Sequence, residues 1–390
     1  MDNYLKIEEF MALAEIRKEK LNPLVDMDEK PCIELEHIES GSGRILGWAK
    51  STDQKSIKNV FYKGDVLFGK LRPYLKKYWL AEFNGVCSSE IWVLMPKNSK
   101  VDPMYFFYRI QNNDFIMAAN VSSGSKMPRA DWNFIINYPL SIIHSIPEQR
   151  AIARVLKTWD TAIHTTEKLI AQKELRKKWL IQVLLTGKKR LKGFNNLWQL
   201  TSLEKFITPI SRSVEKPKEP YLALGIRSHG KGTFLKENEI PDRNSMDKLF
   251  VVKENDLLVN ITFAWEMAIA IATKQDDGAL VSHRFPTFTF KPEIGSAAFF
   301  KFFILMPIMK NRLNLISPGG AGRNRVLNKS DFLKLEFRIP EYKEQIAIAN
   351  IIQSADNELN LLEVKREKLK EQKRGLMQVL LTGKTKLKII

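Results

Sequence analysis

The sequence predicts an α+β protein of two α/β lobes joined by two long helices, and three observations predict it. The block Gln182-Val-Leu-Leu-Thr-Gly-Lys188 recurs as Gln378-Val-Leu-Leu-Thr-Gly-Lys384, at an offset of 196 residues. Both copies end a proline-free segment whose apolar residues alternate at three- and four-residue spacing. The segments before them mix short apolar runs with glycine-containing turns, as strands in a mixed fold do.

The first lobe spans residues 1–147. Phe10 to Leu21 reads as a short amphipathic helix. Ile33 to Ile38, Asp65 to Phe68 and Ile91 to Met95 read as strands, and Tyr105 to Asn112 as a helix. A helix then follows at 148–192. Pro147 opens it, Glu148 lies in the first turn where a carboxylate suits the macrodipole, and Gly187 stands at the end. The second lobe spans 193–340, with strands at Tyr221 to Leu224 and Phe285 to Phe290 and a helix at Phe299 to Leu305. Pro340 opens the last helical segment, 341–390, and Gly383 ends it, both glycines being suited to a left-handed C-terminal residue.

The repeat extends beyond the seven-residue block. From 148 to 192, 18 of 45 positions match their counterparts without a gap, among them Glu148-Gln149 with Glu344-Gln345 and Asp160 with Asp356. Lobe residues correspond more loosely: Asp65 falls on Asp256 at an offset of 191, and Ser123-Gly-Ser125 on Pro318-Gly-Gly320 at 195. In the first helix the stripe includes Ile152, Leu156, Trp159, Ile163, Leu169, Leu180 and Leu184. In the second it includes Ile348, Ile352, Leu359, Leu362, Leu369, Leu376 and Leu380. A narrow seam held for about five heptads favours a coiled coil over two independent core helices. About 39 residues give a rod of roughly 58 Å. Antiparallel pairing of the two copies is expected, since it makes the repeat a pseudo-two-fold object.

Charge points to a polyanion. There are 62 Lys+Arg against 44 Asp+Glu, net +18. Residues 1–39 are net −6, whereas 40–147, 148–192 and 193–340 are net +7, +8 and +6, so the basic excess lies on both lobes and the first helix. Several surfaces touching phosphate would produce this pattern. In the first lobe Lys70, Arg72, Tyr74 and Lys76 interleave bases with an aromatic, and Ser123, Ser125, Lys126 and Arg129 set cations among small residues. In the second lobe Ser317-Pro-Gly-Gly-Ala-Gly-Arg323-Asn324-Arg325 is the counterpart. Arginine can bind guanine bidentately and asparagine can bind adenine. Solvated turns are the plainer alternative.

Chemistry-bearing motifs are missing. Gly225 to Gly232 follows a strand and approaches a phosphate-binding loop, but a glycine replaces the metal-binding hydroxyl and no apolar helix follows. Gly41 to Gly47 misspaces a dinucleotide fingerprint, and Asn22-Pro23-Leu24 is no amino-methyltransferase motif. His37, His144, His164, His229 and His283 show no ligand spacing. Cys32 and Cys87 form no disulfide framework and suit a reducing cytoplasm. The first residues lack the apolar core of a signal peptide, and the most apolar run, Ala297 to Met309, is too short to span a membrane. A cytoplasmic binding and positioning protein is expected, without catalysis, cofactor or metal of its own.

The arrangement resembles the specificity subunit of Type I restriction–modification enzymes. The paired Glu-Gln…Gln-Val-Leu-Leu-Thr-Gly-Lys helices at 148–188 and 344–384 carry the resemblance most specifically. Gly64-Asp-Val-Leu-Phe-Gly-Lys-Leu-Arg-Pro-Tyr74, Cys87-Ser-Ser-Glu-Ile91 and Ser123-Gly-Ser-Lys-Met-Pro-Arg129 look like that family's target-recognition domains. In the second lobe Asn260-Ile-Thr-Phe263 replaces the Lys-Leu-Arg-Pro run and His283-Arg284 replaces Ser89-Glu90, which adds Arg284 to the DNA-contact candidates. The resemblance implies two domains that each read half of a split site in double-stranded DNA, and a coiled coil that spaces them. It also implies two methyltransferase subunits, which carry S-adenosylmethionine, and two restriction subunits, which use ATP and Mg²⁺. A stand-alone bipartite regulator, a specificity chain of a methyltransferase lacking restriction subunits, and an enzyme with a divergent site remain alternatives.

Overall fold

A computed structural model describes residues 4–121, 127–241, 246–319 and 325–387. The chain divides into two compact units, Met1–Leu169 with Leu362–Ile390, and Ile170–Leu361. The first unit begins β1 (Leu5–Glu9), α1 (Phe10–Leu13), β2 (Ala14–Ile16), β3 (Lys20–Leu21), β4 (Pro31–Ile33), β5 (Ala49–Lys50) and β6 (Lys58–Phe61). It continues with β7 (Val66–Gly69), β8 (Tyr78–Leu80), β9 (Gly85–Cys87), β10 (Ile91–Pro96), α2 (Pro103–Arg109), α3 (Asn113–Ala119), α4 (Trp132–Ile135) and β11 (Pro139–Ile143). Helix α5 (Ile146–Leu184) follows and supplies residues to both units.

The second unit holds β12 (Gln199–Ser202), β13 (Ile207–Ile210), β14 (Ser213–Glu215), β15 (Tyr221–Ile226), β16 (Thr233–Glu239), β17 (Lys248–Val251), β18 (Leu257–Val259) and β19 (Ile269–Ile271). Then come β20 (Leu280–Val281), β21 (Thr287–Phe290), α6 (Ala297–Phe303), α7 (Pro307–Leu315), α8 (Lys329–Leu333), β22 (Glu336–Ile339) and α9 (Tyr342–Leu380). The sheets of the first unit run β1-β11, β2-β10-β7-β8 and β3-β6-β9-β4-β5; those of the second run β12-β22, β13-β21-β18-β19 and β14-β17-β20-β15-β16. Strand for strand, the order is the same.

The apolar runs explain the central strands. All four residues of β7 are buried, because Phe68 enters one core with Phe10, Trp92 and Phe115 while Leu67 enters another with Ile33, Trp79 and Val93. In the second unit Leu257 and Val259 face one core and Leu258 the other. Side chains alternate across a strand, so a strand between two cores must be apolar throughout. A bidentate ion pair ties the end of each such sheet. Arg17 Nε and Nη2 donate to Asp65 at 2.8 and 2.9 Å, and Arg212 donates to Asp256 at 2.6 and 3.2 Å.

The repeated Glu-Gln mounts each long helix. Gln149 Oε1 accepts from the backbone N–H of Asp102, the N-cap of α2, at 2.7 Å, and its Nε2 donates to the Ile143 carbonyl at 2.7 Å. Gln345 Oε1 accepts from the N–H of Ser296, the N-cap of α6, at 2.9 Å, and its Nε2 donates to Ile294 and Pro340 carbonyls. Both amides are fully buried. Glu344 accepts from Arg190 and the Trp198 indole, and Glu148 accepts from the Tyr4 hydroxyl.

The long helices meet in opposite running order within each unit. In the first, Asp160 accepts from Lys373 at 2.6 Å and Glu167 from Lys370 at 3.0 Å, while Ile152 and Leu156 share a core with Met377 and Leu380. In the second, Lys177 pairs with Asp356 and Lys173 with Glu358, while Leu184 shares a core with Ile348 and Ile352. Of the predicted stripe, Ile152, Leu156, Ile163, Leu184, Ile348, Ile352, Leu359 and Leu380 are buried; Trp159, Leu180, Leu362, Leu369 and Leu376 are half-buried. Leu169 departs: it is 36 % exposed, and Ile170 is buried in its place. Gly187 and Gly383 are left-handed, at φ 68° and 70°.

Two local expectations fail. The helix predicted from Phe10 to Leu21 stops at Leu13, because Ala14–Ile16 pairs with the edge of β10. The ladder outweighs the helical spacing. The strand predicted over Ile33 to Ile38 ends at Ile33, and Leu35–His37 forms a tight turn in which the Glu34 N–H donates to His37 Nδ1 at 3.0 Å. Cys32 and Cys87 are both free and buried.

Gln149→Ala or Gln345→Ala leaves a buried N–H and its opposing carbonyls without partners, at about 1–3 kcal/mol for each unsatisfied group. Denaturant melts of either variant are expected to show a loss of a few kcal/mol, and an unchanged midpoint would contradict the mounting role. Burial acts to raise the Glu167 carboxyl, but hydrogen bonds from Lys370 and Arg44 outweigh it and hold the group below its usual 4.5. Its contribution is therefore complete above the unfolded value and is lost as pH falls through the lower folded one. Thermal melts between about pH 5 and 3 should fall less steeply for Glu167→Gln than for wild type.

Candidate nucleic-acid interface

In the first unit β7 ends at Gly69, and the chain turns across the end of its sheet. Arg72 and Lys76 are left-handed, at φ 51° and 52°, around the tight turn Pro73–Leu75. Each such residue costs roughly 1–2 kcal/mol, so the surroundings must hold it. They do. The Arg72 N–H donates to the Pro128 carbonyl at 2.8 Å, the Ala130 N–H to Lys70 at 2.9 Å, and the Gly41 N–H to Lys76 at 2.9 Å, with Leu71 bridged to Arg129. The Lys70 N–H donates to the Glu90 carbonyl at 3.0 Å. Three chain segments, 70–76, 88–90 and 127–130, thus form one surface.

Its side chains are basic and open. Arg72 and Tyr74 are exposed, and no carboxylate pairs with Arg72 among the described residues. Lys76 Nζ donates to Asn113 Oδ1 at 3.4 Å. Arg129, half exposed, donates to Glu90 at 3.1 Å. Lys77 differs, since its ammonium donates to the Leu35 and Ile38 carbonyls at 2.6 and 2.9 Å and so fastens the fold. Ser123, Ser125 and Lys126 lie outside the described residues.

The second unit builds the same frame with other side chains. The Ile261 N–H donates to the Arg284 carbonyl at 3.0 Å, and the Leu327 N–H to Ile261 at 2.9 Å, repeating the bonds at Lys70. The correspondence drawn from sequence shifts by one residue: Asn260 occupies the place of Gly69, and Ile261-Thr-Phe-Ala264 that of Lys70-Leu-Arg-Pro73. The turn Ala264–Glu266 and left-handed Met267, φ 64°, match Pro73–Leu75 and Lys76. Trp265 therefore stands where Tyr74 does. Arg284 is exposed without an acidic partner among the described residues. Arg325 is engaged: it donates to the Ser317 carbonyl and to the Asn314 carbonyl, each at 2.9 Å, and lies over the Trp265 ring at 4.9 Å. Arg323 and Asn324 lie outside the described residues.

Glu90, Ile261 and Phe263 stood in the motifs read from the sequence but not among its DNA-contact candidates, and Val326 stood in neither. The backbone hydrogen bonds at Lys70 and Ile261 bring these segments together. The near-match Gly225 to Gly232 is the end of β15 and the turn Arg227–Gly232 into antiparallel β16, not a strand–loop–helix. Among the described residues no group of His, Cys, Asp and Glu could hold a metal ion, and no helix is long and apolar enough to cross a membrane.

The sequence profile of the Type I restriction modification DNA specificity domain matches residues 18–175 and 211–371. The chain is 31% identical over 152 residues to the Type I restriction enzyme EcoDI specificity subunit of Escherichia coli, a match covering 38% of this chain and 33% of that protein. It is 24% identical over 327 residues to the MjaVIII specificity subunit of Methanocaldococcus jannaschii, covering 78% and 75%. In fold it is similar to the HsdS subunit from Thermoanaerobacter tengcongensis, with a TM-score of 0.56 and 15% identity over 99% and 98% of the two chains. A chain of a solved type I R-M system gives a TM-score of 0.62 at 14% identity, over 99% of both.

Arg72→Ala and Arg129→Ala are expected to weaken duplex binding and to lower its salt slope by about one unit for each phosphate that is no longer neutralised. Titrations across salt check this, and wild-type curves would remove both residues from the interface.

Proposed function

The chain belongs to the Type I restriction modification DNA specificity family, and from that membership we propose that it is the sequence-reading subunit of a type I restriction–modification complex. Each unit reads one half of a bipartite site in double-stranded DNA. The observation that carries this reading is the repeated frame with exchanged side chains: Lys70, Arg72 and Arg129 on one unit, Ile261, Phe263 and Arg284 on the other, over the same strand order. A fixed scaffold with different exposed groups suits two different half-sites, since base edges are told apart by donor, acceptor and methyl pattern.

The paired helices act as an antiparallel coiled coil that spaces the two half-sites and serves as the docking surface for two methyltransferase subunits. Leu175, Trp179, Leu361 and Val364, exposed by 69, 46, 71 and 53 %, supply apolar surface along them. The subunits bound there carry S-adenosylmethionine and take a base out of the stack to methylate it. Two restriction subunits, using ATP and Mg²⁺, complete the assembly in the cytoplasm. This chain contributes recognition and scaffolding and no catalytic group.

Co-expression with a methyltransferase subunit should yield a complex that methylates a split site. Removing seven residues from each long helix, in register, should change the spacer accepted or abolish assembly. A chain that stays alone in the presence of that subunit points to a stand-alone regulator. An uninterrupted recognition word overturns the bipartite reading.

A further inference from the structure

The two recognition surfaces differ most sharply at one matched position. The residue just before β10 is Glu90, and its carbonyl accepts from Lys70 at 3.0 Å; the matching residue before β21 is Arg284, whose carbonyl accepts from Ile261 at 3.0 Å. The ladders agree in register, with Val93 opposite Leu67 in one unit and the matching Thr287 opposite Leu258 in the other. The backbone position is the same and the charge is opposite.

The surroundings are opposite too. Glu90 is joined to two basic residues, its carbonyl accepting from the Lys70 N–H at 3.0 Å and its carboxylate from Arg129 at 3.1 Å. Arg284 is bonded through its carbonyl to Ile261, the residue in the place of Lys70, and the frame around Ile261 carries Phe263 in the place of Arg72 and Val326 in the place of Arg129, exposed by 36 and 48 %. A carboxylate on a surface that faces phosphates is repelled by them, so its place there is not a phosphate contact. It accepts hydrogen bonds only, and in the major groove the donors are the exocyclic amino groups of cytosine and adenine. An exposed guanidinium with no carboxylate paired to it among the described residues has five donors in a planar fork, which matches the N7 and O6 acceptors of guanine.

Resting on the reading of the units as DNA-recognition surfaces, we propose that this position determines base choice in each half-site. Glu90 selects a base carrying an exocyclic amino group, and Arg284 selects guanine. Arg129 orients the Glu90 carboxylate from beside it.

The test is selection from a randomised duplex library by the full chain, alone or in complex with its methyltransferase subunits, followed by affinity and salt titration on the selected site. Glu90→Ala and Arg284→Ala should each lose discrimination at one base pair, in different half-sites, by about 5- to 150-fold, the range that a good base contact supplies. The other half-site and the melting temperature should not change. Glu90→Gln, which can pair with adenine, should retain or narrow the preference toward adenine. Glu90→Arg, bringing in the charge of the other unit, should turn it toward guanine.

Unaltered preference in Glu90→Ala overturns the assignment for the first unit, as does a profile identical to that of Arg129→Ala with no change in base choice. A uniform loss of affinity with a shallower salt slope in Arg284→Ala makes that residue a phosphate contact and overturns the second. A wild-type chain that selects no sequence at all sinks the underlying DNA-reading proposal instead.

Discussion

Two buried amides hold this architecture together. Gln149 and Gln345 each follow the first turn of a long helix, and each bonds the N-cap of a short helix in its own unit. The contact is two-sided, since the carbonyl oxygen accepts from the cap while the amide nitrogen donates to the strand or loop leading into the helix. In a dry site both partners are obligatory, and a carboxamide offers donor and acceptor side by side, which glutamine carries one methylene further out than asparagine. The direction in which each helix leaves its unit is set here. Everything further along the rods inherits that direction, including the crossed ion pairs Asp160–Lys373 and Lys177–Asp356.

These pairs also account for the pattern of identity along the repeat. Asp160 and Asp356 match at the 196-residue offset, and so do Lys177 and Lys373. Each aspartate meets the lysine of the other copy, so one kind of contact occurs once per unit. Around them the identity drops, because apolar seam positions tolerate exchange of similar volumes: Leu156 and Ile163 in one copy are Ile352 and Leu359 in the other.

The sequence made the helices, their glycine ends and the two-fold recurrence legible because all three are local or periodic. Central strands such as β7 and β10 were legible as apolar runs. Short segments were not. Ala14–Ile16 has helical spacing yet joins an edge ladder, and Leu35–His37 alternates like a strand yet turns on a His37 side-chain bond. Both outcomes depend on partners far along the chain. The candidate surface divides in the same way. Lys70, Arg72 and Arg129 stood out as cations among small residues and aromatics, whereas Lys77, in the same run, is consumed by two carbonyls. Arg325 likewise sits in a run of bases but closes the end of α7. A basic cluster in sequence does not tell which cations are used up holding the loop that presents the rest.

The first unit is completed by the far end of the chain. Met377, Leu380 and Leu381 belong to its core together with Leu140, Ile143 and Ile152, Lys386 lies 4.6 Å over the Tyr4 ring, and a side chain at Gly383 would collide with Leu5. In the second unit the matching roles fall to Leu184 and Leu185, to Arg190 over Trp198, and to Gly187 against Trp198. There the segment runs directly from the helix into β12. In the first unit the same contacts are made by residues nearly the whole chain apart. A unit of this kind therefore needs the end of a preceding helix as well as the start of its own, and the first unit takes that end from α9. The first unit is accordingly not a continuous stretch of sequence, whereas the second, Ile170–Leu361, is one. Each unit thus packs residues of both long helices into its core.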